Sequence, residues 1–151
     1  HYCLAVLQHF YAADLIEKLG EDFLAPSHDS AAYFTLSLLA HNAEHTLQRY
    51  AMVLQLIESQ GAQTRAELEK HSHELAQRLL SLHGITAPEY YDKQLFATLV
   101  NALKDSGYTR ADEQNRVIAT NTLPALNTTI GMLLRNDVLQ SIHSIVPTST
   151  P

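Results

Sequence analysis

The stretch from Thr64 to Tyr108 constrains this chain most, because it marks where two helices begin and end. Thr64 and Glu67 have the spacing of a capping box, in which each side chain satisfies a backbone N–H that the helix start leaves open. Apolar positions follow at Leu68, Leu75, Leu79 and Leu82, with Ser72 as the one polar gap in the stripe. Gly84 stands where a left-handed residue closes a helix. Pro88 keeps the connection non-helical and biases Ala87 toward extended geometry. Asp92 suits the N-cap of a second helix, which is expected to bury Leu95, Phe96, Leu99, Val100 and Leu103 and to stop at Gly107.

The rest of the chain supplies partners for that pair. Residues 1–19 carry a helical stripe of Leu4, Leu7, Tyr11, Leu15 and Leu19, with Gly20 as its stop. Residues 20–29 read as a loop containing Pro26 and Ser27. From Ser30 to Ser59 the positions Tyr33, Leu36, Ala40, Ala43, Leu47, Tyr50, Leu54 and Ile57 alternate threes and fours, a seam for packing against other helices. Gly61 ends it. The run 109–122 is polar and turn-rich, and Arg116–Thr120 is its short β-favouring segment. A last helix, Leu123 to Ile145, is expected to use Leu126, Ile130, Leu133, Val138 and Ile142, with Pro124 in its first turn and 147–151 as a frayed tail.

These elements predict an all-α chain. It is a helical bundle of about five helices with a winged-helix-like unit and a small β-hairpin near 108–120. The expected divisions are an N-terminal helix over 1–19, a winged-helix-like accessory domain over 20–120, and a C-terminal helix and tail over 121–151. The unit from Thr64 to Tyr108 is expected to pack on the long helix through Leu47, Tyr50, Leu54, Leu75, Leu79, Phe96, Leu99 and Leu103. The upper stripe of that helix (Tyr33, Leu36, Ala40, Ala43, Leu47) is expected to leave an exposed strip, the mark of an interface.

Composition narrows the function classes. The 151 residues are 46% hydrophobic, enough for a core, and carry a formal charge of −6, which opposes a surface built to neutralise phosphates. A single cysteine, Cys3, excludes an internal disulfide and fits a reducing compartment. No run approaches the roughly 20 apolar residues of a membrane span, so the chain reads as soluble. It starts on His1 without a signal-like segment, which is read as a piece of a longer polypeptide.

Several local patterns invite a chemistry and fall short of it. His41, Glu44 and His45 match H-x-x-E-H, two imidazoles one turn apart, but zinc needs a third protein ligand and no downstream motif offers it. His9 and Asp14 match H-x-x-x-x-D, in which an aspartate orients a histidine base. In one continuous helix a separation of five residues places them about 140° apart. His71 and His73, beside Glu74, diverge on a helix and read as a solvated face. Asn127-Thr128-Thr129 has the form of a glycosylation acceptor but lies inside a helix. Lys93, Gln94, Asn101 and Lys104 could read DNA from the second helix of a winged helix, yet from Thr64 to Arg110 six acids balance six bases. No catalytic, cofactor-binding or metal-binding residue is therefore assigned, no cofactor is expected, and nucleic acid is not an expected partner.

Three strings point to a family. They are Thr46-Leu47-Gln48-Arg49-Tyr50, the pair Ala76-Gln77-Arg78-Leu79 and Leu82-His83-Gly84-Ile85, and Ala87-Pro88-Glu89-Tyr90-Tyr91-Asp92-Lys93. With their surroundings, from Phe23 to Tyr108 and more weakly over 121–145, they resemble the C-terminal region of the bacterial membrane-bound glycerol-3-phosphate acyltransferases. Residues 1–19 are not placed by it. The resemblance implies a parent enzyme that acylates the 1-position of glycerol 3-phosphate, from acyl-CoA or acyl-carrier protein, on the cytoplasmic side of the inner membrane in phospholipid synthesis. It places the H-x-x-x-x-D dyad and the glycerophosphate-binding arginines in a separate, more N-terminal domain. His9 and Asp14 lack the surrounding family residues, so nothing catalytic carries over. The implied role is a non-catalytic accessory region serving domain packing, oligomerisation or regulation. Its implied partners are the catalytic domain of the same polypeptide, a second copy, and the membrane surface. The alternative is a free-standing winged-helix module for protein interaction or DNA binding.

Overall fold

The computed structural model describes residues 2–84 and 88–146, and the chain forms two compact units, 1–44 and 45–151. The expected tail at 147–151 and the expected extended Ala87 lie outside the described residues.

The first unit holds helix α1 (Tyr2–Ala12), a hairpin of β1 (Glu17–Leu19) and β2 (Asp22–Leu24), and the start of α2 (Ala31–Gln60). α1 is shorter than its stripe predicts. Asp14 adopts φ 56°, Leu15 N–H donates to the Phe10 carbonyl at 2.9 Å and Asp14 N–H to that of Tyr11 at 3.0 Å. That is a Schellman closure with aspartate in the left-handed position usually given to glycine, which is why the stop was invisible in the sequence. Gly20 is not a helix stop. At φ 63° it turns the antiparallel hairpin, in which Lys18 faces Phe23 and reaches over its ring at 5.8 Å. The expected loop over 20–29 thus contains a strand.

α2 starts where the Ser30 hydroxyl accepts the Tyr33 N–H at 3.1 Å. Ser27 donates to the Asp29 carboxylate just before it, and that bond lowers the Asp29 pKa. Among the described residues of 3–44 none is buried. Leu4, Tyr11, Leu19, Leu24, Phe34, Leu38 and Leu39 are all exposed, Leu38 to 67%. The bare large apolar residues of α2 are therefore Phe34, Leu38 and Leu39, of which Phe34 and Leu38 share a side. Of the expected strip, Ala40 and Ala43 are exposed, whereas Tyr33, Leu36 and Leu47 are half-buried.

The second unit contains the core. Residues 51–54, 56 and 57 of α2 are all buried, so this part of the helix lies in the core. Its neighbours in one apolar cluster come from α3 (Arg65–His83), α4 (Lys93–Asp105), α5 (Leu123–Leu133) and α6 (Asn136–Ile145), including Leu68, Leu79, Phe96, Leu103, Leu123 and Ile142. α3 packs against α4, α6 and a short 3-10 turn at Pro88–Tyr91. Leu47 and Tyr50 flank the cluster as partly buried contributors. Among the described residues the chain is mostly helical, with six α-helices and two small hairpins.

The punctuation read from the sequence holds in this unit. Thr64 and Glu67 form a complete capping box, Gly84 closes α3 at φ 62°, and Asp92 accepts the Gln94 N–H at 2.8 Å. Gly107, at φ 77°, sits in a Schellman closure of α4, with Tyr108 N–H donating to the Leu103 carbonyl at 2.9 Å. The antiparallel hairpin of β3 (Thr109–Ala111) and β4 (Val117–Ala119) lies within the expected span. Gln63 pairs with Val117 as a one-residue third strand.

Two positions of the α3 and α4 stripes lie outside the core. Leu82 is 62% exposed and Leu95 37%, each at the margin of its helix face. Ser72 is fully buried, its hydroxyl donating to the Leu68 carbonyl at 2.7 Å, so the polar gap satisfies itself inside the core. The last helix is two helices, broken at Leu134 and Arg135, both extended. The buried positions Ile130, Leu134, Val138, Ile142 and Val146 recur every four residues. At 3.6 residues per turn a four-residue step drifts about 40°, so four steps would carry Val146 about 160° away from Ile130 on a straight helix. The break resets that phase, and it turns Leu133, expected in the core, 64% into solvent.

Leu79→Ala should cost about 2–5 kcal/mol in a urea titration, because Leu79 is fully buried. Leu82→Ala should stay within about 0.5 kcal/mol. The Glu67 carboxyl is held below its ordinary pKa by the Thr64 hydroxyl and then the Thr64 N–H, and the Asp112 carboxyl by the Arg116 N–H. Groups depressed in the folded state contribute fully above the unfolded carboxylate range and lose that contribution as pH falls through the lowered folded values. Glu67→Gln should accordingly shrink the drop in urea midpoint between neutral pH and about pH 3. An unchanged drop would remove the capping box from the acid response.

Candidate functional site

Each histidine-bearing pattern has a definite place. His41 and Glu44 lie 3.4 Å apart on α2, and His45 is half-buried with its ring edge-on to Tyr90 at 5.2 Å. Among the described residues, no group of three or more His, Cys, Asp or Glu is arranged to hold a metal ion. His9 Nδ1 pairs with the Ala5 carbonyl at 2.7 Å, while Asp14 occupies the left-handed turn beyond the helix end. The two are therefore not on one continuous helix, as the spacing argument assumed.

His71 and His73 do diverge, but neither belongs to a solvated face. Both are half-buried: His71 Nδ1 pairs with Gln63 Oε1 at 3.1 Å and His73 Nδ1 with the Tyr91 carbonyl at 2.7 Å. Asn127 lies in α5 and donates to Glu58 Oε2 at 2.6 Å. Cys3 is exposed.

A polar contact built from the family-like strings lies under α2. Tyr90 is fully buried and donates its hydroxyl to Gln48 Oε1 at 2.6 Å, with the Arg49 guanidinium 5.9 Å from its ring centre. A buried tyrosine needs a partner for its hydroxyl, and Gln48 is buried with it. This ties the 3-10 turn to α2, which is a packing role rather than a reactive one.

A concave feature lined by several cationic side chains is the cleft between α4 and the β3–β4 hairpin. Of the four residues weighed as DNA-reading, Lys93, Gln94, Asn101 and Lys104, all are exposed on α4, but only Asn101 and Lys104 line this cleft. Arg65, Arg110 and Arg116 join them from α3 and the hairpin. The sequence reading missed these three because they come together only when the hairpin folds back beside α4. Arg65 reaches across to the Ala97 carbonyl of α4 at 3.5 Å and pairs with Glu69 at 2.7 Å. Arg116 pairs with Asp112 at 2.8 Å, and Asp112 in turn accepts the N–H groups of Gln114 and Arg116.

Among the described residues no helix is long and apolar enough to cross a membrane. No solved structure matches the chain. Curated relatives do. A glycerol-3-phosphate acyltransferase of Shewanella baltica strain OS155 is 40% identical over 145 residues, which is 96% of this chain and 17% of the relative. One of Pseudoalteromonas atlantica is 35% identical over 131 residues, covering 87% and 16%. One of Shewanella pealeana is 47% identical over 107 residues, covering 71% and 13%. The chain thus spans about a sixth of the length of these relatives. The family model that matches covers residues 1–112, so it includes the first 19 residues that the sequence strings did not place. The chain belongs to the family defined by the glycerol-3-phosphate acyltransferase C-terminal region.

Proposed function

We propose that this chain is a non-catalytic C-terminal region of a glycerol-3-phosphate 1-O-acyltransferase, and that it serves the enzyme by packing against the rest of the polypeptide. The observation that carries the reading is the family match over 1–112 combined with relatives about six times longer. The geometry around His9 supports it, since Asp14 sits beyond the end of α1 in a left-handed turn. The parent reaction would transfer an acyl group from acyl-CoA or acyl-carrier protein on the cytoplasmic side of the inner membrane, in phospholipid synthesis.

The first unit supports packing as the role. It has no buried residue among those described in 3–44, yet it presents Phe34 and Leu38 on one side of α2, with Leu39 exposed next to Leu38. Apolar surface of that kind marks an interface. The occupant we assign is the catalytic domain of the same polypeptide; a second copy of the chain and the membrane surface are the competing occupants. The order of elements in the second unit supports a winged-helix reading of its centre. A helix, a single bridged residue at Gln63, two further helices and a hairpin follow in sequence, and Gln63 pairs with the returning strand β4. That arrangement also keeps a free-standing interaction module as the second reading.

Purified chain incubated with acyl-CoA and glycerol 3-phosphate should give no acyl transfer, while the full-length polypeptide should. Turnover by the chain that disappears with His9→Ala would overturn the reading. Phe34→Glu with Leu38→Glu should leave the circular dichroism of the second unit intact and weaken the full-length enzyme. Normal activity in that double variant would remove this face from the packing surface.

A further inference from the structure

We propose that the cleft between α4 and the β3–β4 hairpin is a binding site for a phosphate-type anion. The cleft measures about 220 Å³. At roughly 30 Å³ per water, it holds a phosphoryl group together with a few waters. Four cationic side chains line it, Arg65, Lys104, Arg110 and Arg116, and no carboxylate does. This is a local excess of positive charge on a chain whose formal net charge is −6. Concave walls concentrate such a field and raise the local anion concentration.

The four cations are not equivalent. Arg65 is tied to Glu69 and Arg116 to Asp112, so their charges are largely matched and their positions fixed. Among the described residues Lys104 and Arg110 have no ion pair, and both are exposed at the cleft wall. They supply the uncompensated charge. Arg110 offers a planar fork that fits two phosphate oxygens, and Lys104 a point charge.

Thr109 adds a separate observation. It is 4% exposed, lines the cleft, and among the described residues its hydroxyl has no hydrogen-bond partner. Among the described residues no buried side-chain N or O is left without a partner, so this hydroxyl is not stranded but opens onto the cleft it lines. An anion oxygen in the cleft would give it one, and the Asn101 amide is a further donor from α4.

The surroundings disfavour a duplex as the source of the phosphate. The loop at the end of the hairpin, where a DNA-binding wing would meet the backbone, carries Asp112 and Glu113, and α4 is flanked by Asp92 and Asp105. Like charges there oppose a polyanion that must lie across all of them. A single phosphate inside the cleft avoids Glu113, Asp92 and Asp105 and has nearby only Asp112, whose charge Arg116 already matches. The same chemistry is offered by a free phosphomonoester or orthophosphate and by a lipid phosphate headgroup, so the source is left to the experiment.

The test is an amide NMR titration of the whole chain with inorganic phosphate, referenced to sodium chloride at matched ionic strength. Vesicles containing phosphatidic acid are compared with vesicles of phosphatidylcholine alone. Shifts at Asn101, Thr109 and Arg110 are expected with phosphate, or with phosphatidic acid vesicles only if the source is a headgroup. Lys104→Gln with Arg110→Gln should raise the dissociation constant at least about ten-fold, while Lys93→Gln, on the same helix but outside the cleft, should not. Both substituted residues of the double variant are exposed, so its circular dichroism should be unchanged. Equal shifts with chloride, unaltered binding in the double variant, no shift with phosphate or phosphatidic acid, or tighter binding of duplex DNA that is lost with Lys93→Gln would each overturn the proposal. The readout is binding, so it stands or falls apart from the acyltransferase reading.

Discussion

Gln63 holds the second unit together at the point where three elements meet. Its backbone exchanges both hydrogen bonds with Val117, at 3.3 and 2.6 Å, and so fixes the hairpin to the connection between α2 and α3. Its side chain donates to the Leu56 carbonyl of α2 at 3.3 Å and pairs with His71 of α3 at 3.1 Å. The residue is 7% exposed, so a missing partner would leave a polar group stranded in a nearly dry setting, at about 1–3 kcal/mol. The capping box one residue later starts α3 from the position this pairing sets. The cleft beside α4 depends on it too, because β4 carries Val117 and follows directly from Arg116.

Around that node the two units differ in kind. In the second, residues 51–54, 56 and 57 of α2 are buried, and each fully buried leucine there contributes roughly 1.5–3 kcal/mol. In the first, the described residues of 3–44 are half-buried at most, and local hydrogen bonds at Ser30 and Asp14 and the turn at Gly20 set the ends of its elements. Local closure defines secondary structure without anchoring it, and a short two-stranded hairpin is marginal by itself. Under the role proposed above, the exposed leucines of the first unit are the surface that a partner would cover. This physical contrast makes docking, rather than chemistry, the role we assign.

Legibility followed the same division. Helix ends that use glycine, threonine or aspartate in their usual positions, at Thr64, Gly84, Asp92 and Gly107, were readable residue by residue. The end of α1 was not, because Asp14 replaces glycine in the left-handed position and the apolar stripe runs on through Leu15 and Leu19 regardless. The break at Leu134 was hidden for a related reason. A four-residue repeat looks helical over any short window, and its phase drift matters only when both ends must face one core. Of the α4–hairpin cleft, Lys104 and Asn101 were visible as polar residues on a helix. Arg65, Arg110 and Arg116 were not, since a charge count along the chain gives no sign of which residues the hairpin brings beside α4. The family strings, by contrast, carried more than periodicity could, and two of them meet in the Tyr90–Gln48 bond.

In the proposed role the first unit is completed by the remainder of a longer polypeptide, while the second folds on its own core. Hydrogen–deuterium exchange resolved by peptide, on this chain and on the full-length polypeptide, tests it directly. The account predicts fast exchange over 3–44 in the chain alone, strong protection of the same amides in the full-length protein, and equal protection of the α2, α3 and α4 core amides in both. Equal protection of 3–44 in the two samples would contradict it.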